Sequence, residues 1–410
     1  MKIGIIAYNA ACNFGANLQL LSTVENVKKN GHDPYVINWI PITLESGYIR
    51  TIVPEQRAAH ESFRNKYYNE TNLCRTAEDV AREIENNNID AIIIGSDAVA
   101  QHHPFFSRIL FPSKRIISIR KPSEDQCFPN VFWGTFNDYL KIPRPIAILS
   151  ASCQNSAYKQ FSSKLKKEMY DRIKAFKFIS VRDDWTQKMY KCISGGEIEP
   201  AVTPDPVFAF NYNVDFVPTK EEILKKFDLP EKYILFGLFN NHKISEKWTT
   251  DFKALAFKDN YACVLLSFPQ GINLKHDFDR IINTPLDPMD WYALIKYSSG
   301  YIGHNMHPLV VAMHNSVPFY SLDNYGIAKM RLFVNEKSSK IYHILGLAGF
   351  LSYRHCDLNI FSKFPAPQKI YDKIMNFDTD KCKSFSVAYL EKYKDMMESI
   401  YVAINDNIKS

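Results

Sequence analysis

The chain has 410 residues, of which 46% are hydrophobic and 23% charged, a composition typical of a soluble globular protein long enough for two domains with separate cores. Its formal net charge of +6 comes from 50 Lys and Arg against 44 Asp and Glu, and the basic residues are scattered rather than gathered in the stripe that a nucleic-acid-binding protein needs. The weak positive bias suits an anionic small substrate or peripheral contact with an anionic membrane surface.

The eight cysteines include no CxxC pair, which argues against a zinc knuckle or a redox motif and favours free buried thiols. The first residues, "MKIGIIAYNA", turn polar too soon for a signal peptide. No apolar run approaches the roughly 18 residues of a membrane span. The sequence therefore predicts a cytoplasmic protein, with peripheral attachment to the inner face of the cell membrane left open.

Strands and helices alternate along the first half of the chain. The run "KIGIIAY" has the continuous apolar character of a buried parallel strand, and "NLQLLSTVENVKKNG" after it shows helical spacing. With the strand "DPYVINWI" they form a β-loop-α-β unit, the start of a doubly wound sheet. The later predicted elements of this half are helix "AEDVAREIENNN", strands "IDAIIIGSD" and "RPIAILSASC", helix "FSSKLKKEMYDRIKAF", strand "KFISVRD" and helix "DWTQKMYKCIS".

A second alternating half follows the segment "FNYNVDFVPTKEE", which we interpret as a linker. Its predicted strands are "KYILFGLFN", "YACVLLSFP", "GYIGHN" and "VPFYSLD", and its helices are "EKWTTDFKALAFKDN", "DPMDWYALIKYSS" and "MHPLVVAMHNS". The sequence thus predicts an α/β protein with two Rossmann-like domains, residues 1–212 and 213–375, facing each other across a cleft. A long helix in 376–410 follows, and its packing against the first domain is left open.

The first loop at a strand end is "NFGAN", residues 13–17. Gly15 allows the backbone to approach a ligand, and the amino end of the next helix offers free N–H groups to an anion. The loop matches neither GxGxxG nor a P-loop, so it carries no nucleotide fingerprint. A tight turn without a ligand is the alternative.

Two further strand ends carry charged side chains. Asp97 ends "IIIGSD", where its carboxylate can accept from sugar hydroxyls or act as a base, or can cap the next helix. Arg182 follows "FISV", where a guanidinium can clamp a carboxylate or phosphate. The alternative for Arg182 is a structural ion pair with Asp183, Asp184 or Asp205.

Three histidines stand in "GHNMHPLVVAMHNS". His304 and Asn305 lie at a strand end, and Pro308 suits the first turn of a helix, which sets His307 beside the cleft. His314 lies two turns further on, roughly 10 Å away, too far to share a metal with His307. We therefore expect no metal site, a cleft role for His307 and a structural role for His314.

Four motifs, in this order, resemble the polysaccharide pyruvyl transferase family over residues 1 to about 350: "NFGANLQLL", "GSDAVA", "SVRDDWTQ" with "TPDPVF", and "GHNMHPLVVAMHNSVPF". The family patterns that these four motifs resemble are N-Y-G-A-x-L-Q, G-S-D-Q-x-W, S-V-R-[DE] with D-P-[TV], and [DN]-[SR]-[FL]-H-G. The resemblance implies the two-domain fold called GT-B, which inverting glycosyltransferases also have.

The resemblance implies transfer of pyruvate from phosphoenolpyruvate onto a sugar of a cell-surface glycan, or of its lipid-linked precursor, as a ketal. Such a reaction needs a general acid, a base and cations for the donor. By the resemblance His307 is the acid and Asp97 the base or a sugar ligand. The donor-side residues are then Arg182, Asn305 and His304, and the acceptor-side residues are Asn13, Gly15, Asn17 and Ser96. Lys329 and Arg331 follow the last cleft strand, where they either add positive charge to the donor side or belong to an exposed basic helix. No cofactor is expected beyond phosphoenolpyruvate as co-substrate.

The chain departs from the family pattern at four positions. Asn305 stands where some members carry Arg, Pro308 follows His307 where Gly is usual, and Ala98 and Ala100 replace Gln and Trp. These departures bear on acceptor specificity and on activity.

Two other functions fit the predicted fold. One is a glycosyltransferase that uses a nucleotide sugar, although the second half lacks an E-x7-E motif; the other is a non-catalytic glycan-binding or assembly protein. The partners expected are phosphoenolpyruvate and a lipid-linked sugar, with no nucleic acid. Membrane contact, a homo-oligomer and the identity of the sugar are left open.

Overall fold

The fold consists of two parallel six-stranded sheets whose faces are covered by helices. It is described by a computed structural model, which covers residues 1–110, 118–119, 121–239, 244–271, 274–329, 333–358 and 361–405. Within these residues no helix is long and apolar enough to cross a membrane.

The first half contains the sheet with strand order β2-β1-β3-β6-β7-β8, all parallel. Its strands, with the small hairpin β4–β5, are β1 (Lys2–Ile6), β2 (Asp33–Val36), β3 (Ala91–Asp97), β4 (Ile109–Leu110), β5 (Ser118–Ile119), β6 (Ile146–Ala151), β7 (Phe178–Val181) and β8 (Ala201–Val202). Its helices are α1 (Phe14–Lys29), α2 (Ile42–Thr51), α3 (Pro54–Tyr67), α4 (Ala77–Asn86), α5 (Ser163–Ile173), α6 (Asp184–Ile193) and α7 (Phe210–Asn213).

The second half contains the sheet with order β11-β10-β9-β12-β13-β16, again all parallel. Its strands, with the hairpin β14–β15, are β9 (Tyr233–Gly237), β10 (Ala262–Leu266), β11 (Arg280–Ile282), β12 (Gly300–Gly303), β13 (Phe319–Asp323), β14 (Ile327–Lys329), β15 (Phe333–Asn335) and β16 (Arg354–Cys356). Its helices are α8 (Lys220–Lys226), α9 (Glu246–Lys258), α10 (Pro288–Lys296), α11 (Met306–His314), α12 (Lys340–Leu347), α13 (Pro367–Met375) and α14 (Thr379–Asn405).

Short 3-10 helices occupy several connections. They are Phe105–Arg108, Glu124–Gln126, Val131–Trp133, Thr135–Asp138, Tyr158–Gln160, Pro206–Ala209, Glu336–Ser338 and Leu351–Tyr353. The sequence analysis did not identify α2, α3, α12 and α13. The predicted linker "FNYNVDFVPTKEE" contains α7, which packs against α1.

The strand orders locate the cleft. Each sheet reverses its winding at one point, between β1 and β3 in the first half and between β9 and β12 in the second. Ligands of doubly wound sheets bind at such switch points, beyond the carboxyl ends of the strands. The loops after β1, β3 and β12 carry three of the four motifs singled out in the sequence.

Besides a core of its own in each half, the molecule has one hydrophobic core that the two halves share. A single cluster of buried residues runs from Ile3 and Ile5 of β1 through Tyr301 of β12 to Ile404 of α14. The rings of Phe14 and Trp291, one from each half, stack with centroids 5.3 Å apart. Each sheet also has one cluster of its own on its outer face.

Helix α14 contacts both halves. Its Met396 sulfur lies 3.3 Å from the hydroxyls of Ser150 and Ser180, on β6 and β7 of the first sheet. Its Ser386 hydroxyl donates to the carbonyl oxygen of Met313, on α11 of the second half. The last helix of the chain therefore closes the interior over both sheets.

Candidate active site

A cavity of about 260 Å³ lies between the two halves, at the carboxyl ends of β1, β3, β9 and β12. We call it the cleft cavity. Its polar lining from the first half comes from Asn13, Asp97 and Gln154, and from the second half from Ser267, Gln270, Asn305, His307, Tyr325 and Lys340. Aromatic rings of Phe14, Phe239, Phe268 and Trp291 complete its wall.

Arg182 lies beneath the cleft cavity, paired with two carboxylates. Its Nη1 lies 2.7 Å from Asp205 Oδ2 and its Nη2 lies 3.0 Å from Asp97 Oδ1. The side chain is only 2% exposed, and both of its outer nitrogens are occupied. The predicted direct clamp on a donor is therefore wrong for this arrangement, and the structural ion pair considered as the alternative is what forms. Arg182 instead fixes Asp97 at the cavity wall.

Asp97 presents an ionised carboxylate to the cavity. Its backbone is in the left-handed region, with φ of 77°, a conformation that non-glycine residues adopt mainly at functional turns. Burial by itself raises the pKa of Asp97, but the charges of Lys340 and Arg182 outweigh it and hold that pKa well below its usual value. Such a carboxylate is a weak base, but it can stabilise a neighbouring positive charge.

His307 stands in the first turn of α11 and reaches across the cleft. Its ring rests on Gly15, where a Cβ atom would lie 2.0 Å from His307 Cγ. Nε2 lies 3.9 Å from Asp205 Oδ2 and has no hydrogen-bond partner within the described part of the chain. Burial, only partly opposed by Asp205 and Asp97, lowers the pKa of His307 to about 4. The imidazole is therefore neutral near pH 7, and the predicted role of general acid requires that this pKa rise when substrate binds.

Gly15 serves His307 as well as the cavity it lines. The sequence analysis predicts that Gly15 lets the backbone come close to a ligand. In the structure it is the His307 side chain that lies against this glycine. The loop before it is held by Asn13, whose Oδ1 accepts from Gly15 N–H at 3.0 Å as the N-cap of α1.

Lys340 is a site residue that the sequence analysis missed. It is the first residue of α12, its side chain is 9% exposed, and its Nζ lies 4.0 Å from Asp97 Oδ1 and 4.8 Å from the centre of the Tyr325 ring. Burial and the charge of Arg182 lower its pKa. A lysine in the first turn of a helix opposes the helix dipole, and this was the available sequence signal in "KSSKIYH".

Asn305 and His304 differ in their relation to the cavity. Asn305 lines it, and its Oδ1 accepts a hydrogen bond from Tyr325 Oη at 3.4 Å. His304 is 1% exposed and does not line it, since its Nδ1 accepts from Phe239 N–H at 3.3 Å. Direct donor contact by His304 is thus not supported, and its role is to hold the loop after β9. His314 confirms its predicted structural role through a 3.1 Å contact with Tyr292 Oη.

Two of the predicted acceptor-side residues lie in the interior. Asn17 is fully buried, with its Oδ1 2.8 Å from His60 Nδ1, and Ser96 donates its hydroxyl to the carbonyl oxygen of Ser150. Neither lines the cleft cavity, because the first turn of α1 and the end of β3 turn them toward the sheet. Lys329 ends β14 and its side chain is not described, and Arg331 lies outside the described residues.

The fold belongs to the GT-B class. The chain is similar over 98% of its length to the whole of a UDP-N-acetylglucosamine 2-epimerase from Neisseria meningitidis bound to UDP-GlcNAc, with a TM-score of 0.53 and 8% identity. A spinosyn forosaminyltransferase matches over 100% of both chains, with a TM-score of 0.51 and 9% identity. A UDP-N-acetylglucosamine 2-epimerase from Rickettsia bellii matches over 98% of this chain and 96% of its own, with a TM-score of 0.50 and 11% identity. Because the sequence identities are so low, these structural matches show that the fold is shared and nothing about function.

The sequence itself identifies the family. The family model described as "polysaccharide pyruvyl transferase" matches residues 13–325. The chain belongs to the polysaccharide pyruvyl transferase family. No match to a curated protein sequence was found.

Proposed function

We propose that the protein transfers pyruvate from phosphoenolpyruvate onto two hydroxyls of a sugar as a ketal, the sugar belonging to a cell-surface polysaccharide or its lipid-linked precursor. Membership of the family supports a transferase acting on a polysaccharide. The observation that carries the finer proposal is the buried ammonium of Lys340 facing the cleft cavity beside Asp97 and His307. A cation in such a site suits a small, strongly anionic donor.

The chemistry balances without an additional reactant. A proton adds to C3 of the enol, C2 takes on oxocarbenium character, and a first sugar hydroxyl adds to C2 with loss of its proton. The bond from C2 to the phosphate oxygen then breaks, and the second hydroxyl adds with loss of its own proton. One of the two released protons replaces the one consumed at C3, and the other leaves with phosphate.

Three side chains of the cleft cavity, those of Lys340, Asp97 and His307, take part in this scheme. Lys340 holds the donor's anionic groups, in place of the arginine that some members carry at position 305. Asp97, kept ionised by Lys340 and Arg182, faces the positive charge that develops at C2. His307 by itself is neutral near pH 7, and the negative charge of a bound donor raises its pKa so that it can take up and deliver a proton.

Four further features stay predictions that accompany this proposal. They are the lipid linkage of the acceptor, a cytoplasmic location at the inner face of the membrane, self-association, and independence from any metal or cofactor. None of them is needed for the experiment below.

A phosphate-release assay tests the proposal. The purified protein is incubated with phosphoenolpyruvate and p-nitrophenyl glucosides, galactosides and mannosides, and phosphate is followed over time. We expect release that depends on the acceptor and falls at least 100-fold in Lys340→Gln and in His307→Gln. Lys337→Gln, an exposed lysine three residues earlier, is the matched control and should behave as the unmodified protein.

Two outcomes would overturn the proposal. Turnover of nucleotide sugars without turnover of phosphoenolpyruvate would make the protein a glycosyltransferase. Binding of glycosides without turnover of either donor would make it a glycan-binding or assembly protein.

A further inference from the structure

A second cavity, of about 160 Å³, adjoins the cleft cavity on the side of the first half. The two cavities share Asn13, Asp97 and Gln154 as wall residues. The polar lining of the second cavity comes from Tyr8, Asp97, Asp125 and four carboxamides, and Ala98 is one of its apolar lining residues. We call it the amide pocket, after the four carboxamides of Asn13, Gln101, Gln126 and Gln154.

The amide pocket differs chemically from the cleft cavity beside it. Its described lining contains carboxamides, two carboxyl groups and a phenol, and no lysine, arginine or histidine. Carboxamides both donate and accept hydrogen bonds, as sugar hydroxyls do. The absence of a described cation in this lining makes the pocket unsuitable for phosphate or carboxylate, which the cleft cavity with Lys340 can take.

Asp125 provides an independent sign of a missing ligand. It is 1% exposed, and its Oδ2 accepts a hydrogen bond from Tyr8 Oη at 3.1 Å. Its Oδ1 is fully buried and accepts no hydrogen bond of ordinary geometry within the described part of the chain, although the Ser123 side chain interacts with this carboxyl group. A buried carboxyl oxygen left unpaired is costly, and burial accordingly raises the pKa of Asp125. A hydroxyl donated by a ligand would satisfy this oxygen.

The neighbouring contacts hold this group in place. Gln101 Nε2 donates to Tyr8 Oη at 3.0 Å, and Asn130 Nδ2 donates to the backbone carbonyl of Asp125 at 3.0 Å. Tyr8 in turn packs against Phe132, with ring centroids 5.1 Å apart. The polar wall is thus ordered before any ligand enters, which is the condition for selective binding.

We propose that the amide pocket binds a neutral sugar unit of the acceptor, with Asp125 accepting one hydroxyl and the hydroxyls to be pyruvylated directed past Asp97 into the cleft cavity. This inference rests on the proposed function for the identity of the sugar as an acceptor. It adds a selectivity: Asp97 and Asp125 disfavour a uronic acid or a sugar phosphate in the pocket, since like charges repel in a buried site.

Equilibrium binding tests the pocket without any catalysis. Dissociation constants of the full chain are measured by ligand-observed NMR for p-nitrophenyl β-D-glucoside, galactoside and mannoside, and for p-nitrophenyl β-D-glucuronide. The glucoside and the glucuronide differ only at C6. We expect at least one neutral glycoside to bind and the glucuronide to bind about tenfold more weakly than the glucoside, or not at all.

Two substitutions locate the binding. Asp125→Asn removes the charge but keeps an acceptor for Tyr8, and Ala98→Leu fills the pocket from a wall residue that is 3% exposed. Each should weaken binding of the neutral glycoside about tenfold or more. Ala58→Leu, at an exposed position of α3, is the matched control, and circular dichroism verifies the fold of each variant.

The outcomes separate this inference from the proposed function. Unchanged glycoside binding in both variants, tighter binding of the glucuronide, or no binding of any neutral glycoside by the unmodified protein overturns the amide pocket, whatever the phosphate-release assay gives. Loss of binding in both variants supports it even if phosphoenolpyruvate is not turned over, in which case only the proposed reaction fails.

Discussion

Single residues join the two halves of the site. Gly15 is the second residue of α1 and His307 is the second residue of α11, in the other half of the chain, yet the imidazole ring lies directly against the glycine. The two motifs that contain them are therefore one structural unit across the cleft. This contact gives the glycine a packing reason that is independent of any ligand.

Gly15→Ala tests that contact. A Cβ atom at this position would lie 2.0 Å from His307 Cγ and 2.1 Å from Nδ1, so that the ring must move away. We expect the rate of phosphate release to fall at least tenfold, although no group that takes part in proton transfer has been removed. Gly47→Ala, in α2 with no atom within 4 Å of the new methyl group, is the control. Equal rates for the two variants would contradict the contact.

The pKa of His307 leads to a second prediction about a single residue. Burial lowers this pKa to about 4, and an anionic donor placed beside His307 raises it. Donor binding should therefore take up protons near pH 6.5 and should strengthen as the pH is lowered toward 6. Calorimetric titration of phosphoenolpyruvate in PIPES and in Bis-Tris, whose ionisation enthalpies differ, measures the uptake. The same uptake in His307→Gln would assign it to another group.

At the scale of elements, three helices begin at the cleft. Helices α1, α11 and α12 start with Phe14, Met306 and Lys340, and each follows a loop that lines the cleft cavity or supports it. Their amino ends favour anions, and the amino group of Lys340 lies at the same place. A protonated lysine at this position costs the helix a few tenths of a kcal/mol to about 1 kcal/mol, so Lys340 does not contribute to the stability of α12 through the helix dipole.

Helix α14 packs against both halves, and substitutions of its buried residue Tyr393 measure how much this packing contributes to stability. Its side chain is fully buried, and its hydroxyl accepts from Asn213 Nδ2 at 3.2 Å. Tyr393→Ala should lower the free energy of unfolding by about 3–5 kcal/mol through the cavity it leaves. Tyr393→Phe keeps the ring and should cost about 1 kcal/mol. Urea unfolding measures both, and a small loss in the alanine variant would mean that α14 is dispensable.

At the scale of the whole molecule, the shared core predicts cooperative unfolding. One hydrophobic cluster joins both sheets and α14, and Gln56 of α3 exchanges two hydrogen bonds of 2.8 Å with the backbone of Leu286 in the second half. We expect a single calorimetric transition whose van't Hoff and calorimetric enthalpies agree. Gln56→Ala should lower its midpoint without splitting it. Two separate transitions would show that the halves fold independently.

The buried histidines predict loss of stability in mild acid. Burial lowers the pKa of His60, His304 and His307 to about 4 and that of His314 to about 3. The unfolded chain, with ordinary histidines near 6.5, binds more protons below that pH, so stability falls as the pH decreases from 6.5 toward 4. Each such histidine contributes roughly 2 kcal/mol of this loss between pH 6.5 and 5.

Urea unfolding at pH 7, 6 and 5 measures this dependence. His314→Gln should flatten the decline, because it removes one of the groups that titrate only in the unfolded chain. His32→Gln, a less buried histidine far from the cleft, is a suitable comparison. Stability that stays constant from pH 7 to 5 would contradict the prediction.

The sequence alone determined the fold class and the approximate position of the site. Apolar runs and helical spacing predict parallel strands that alternate with helices. Because the carboxyl ends of such strands lie at one edge of the sheet, the sequence places Asp97, Asn305 and His307 at one cleft. Motif order was enough to indicate the family, because it depends on residue identity and spacing alone.

Only the tertiary structure decided which of these side chains are free to act. Whether Arg182 faces a ligand or two buried carboxylates, and whether Asn17 and Ser96 point into the cleft or beneath it, depends on contacts between residues far apart in the chain. Lys340 lies beyond the family motifs and enters the site because α12 begins at the cleft. Burial, which sets the charge of His307, is likewise a property of the folded molecule, since the unfolded histidine is fully hydrated.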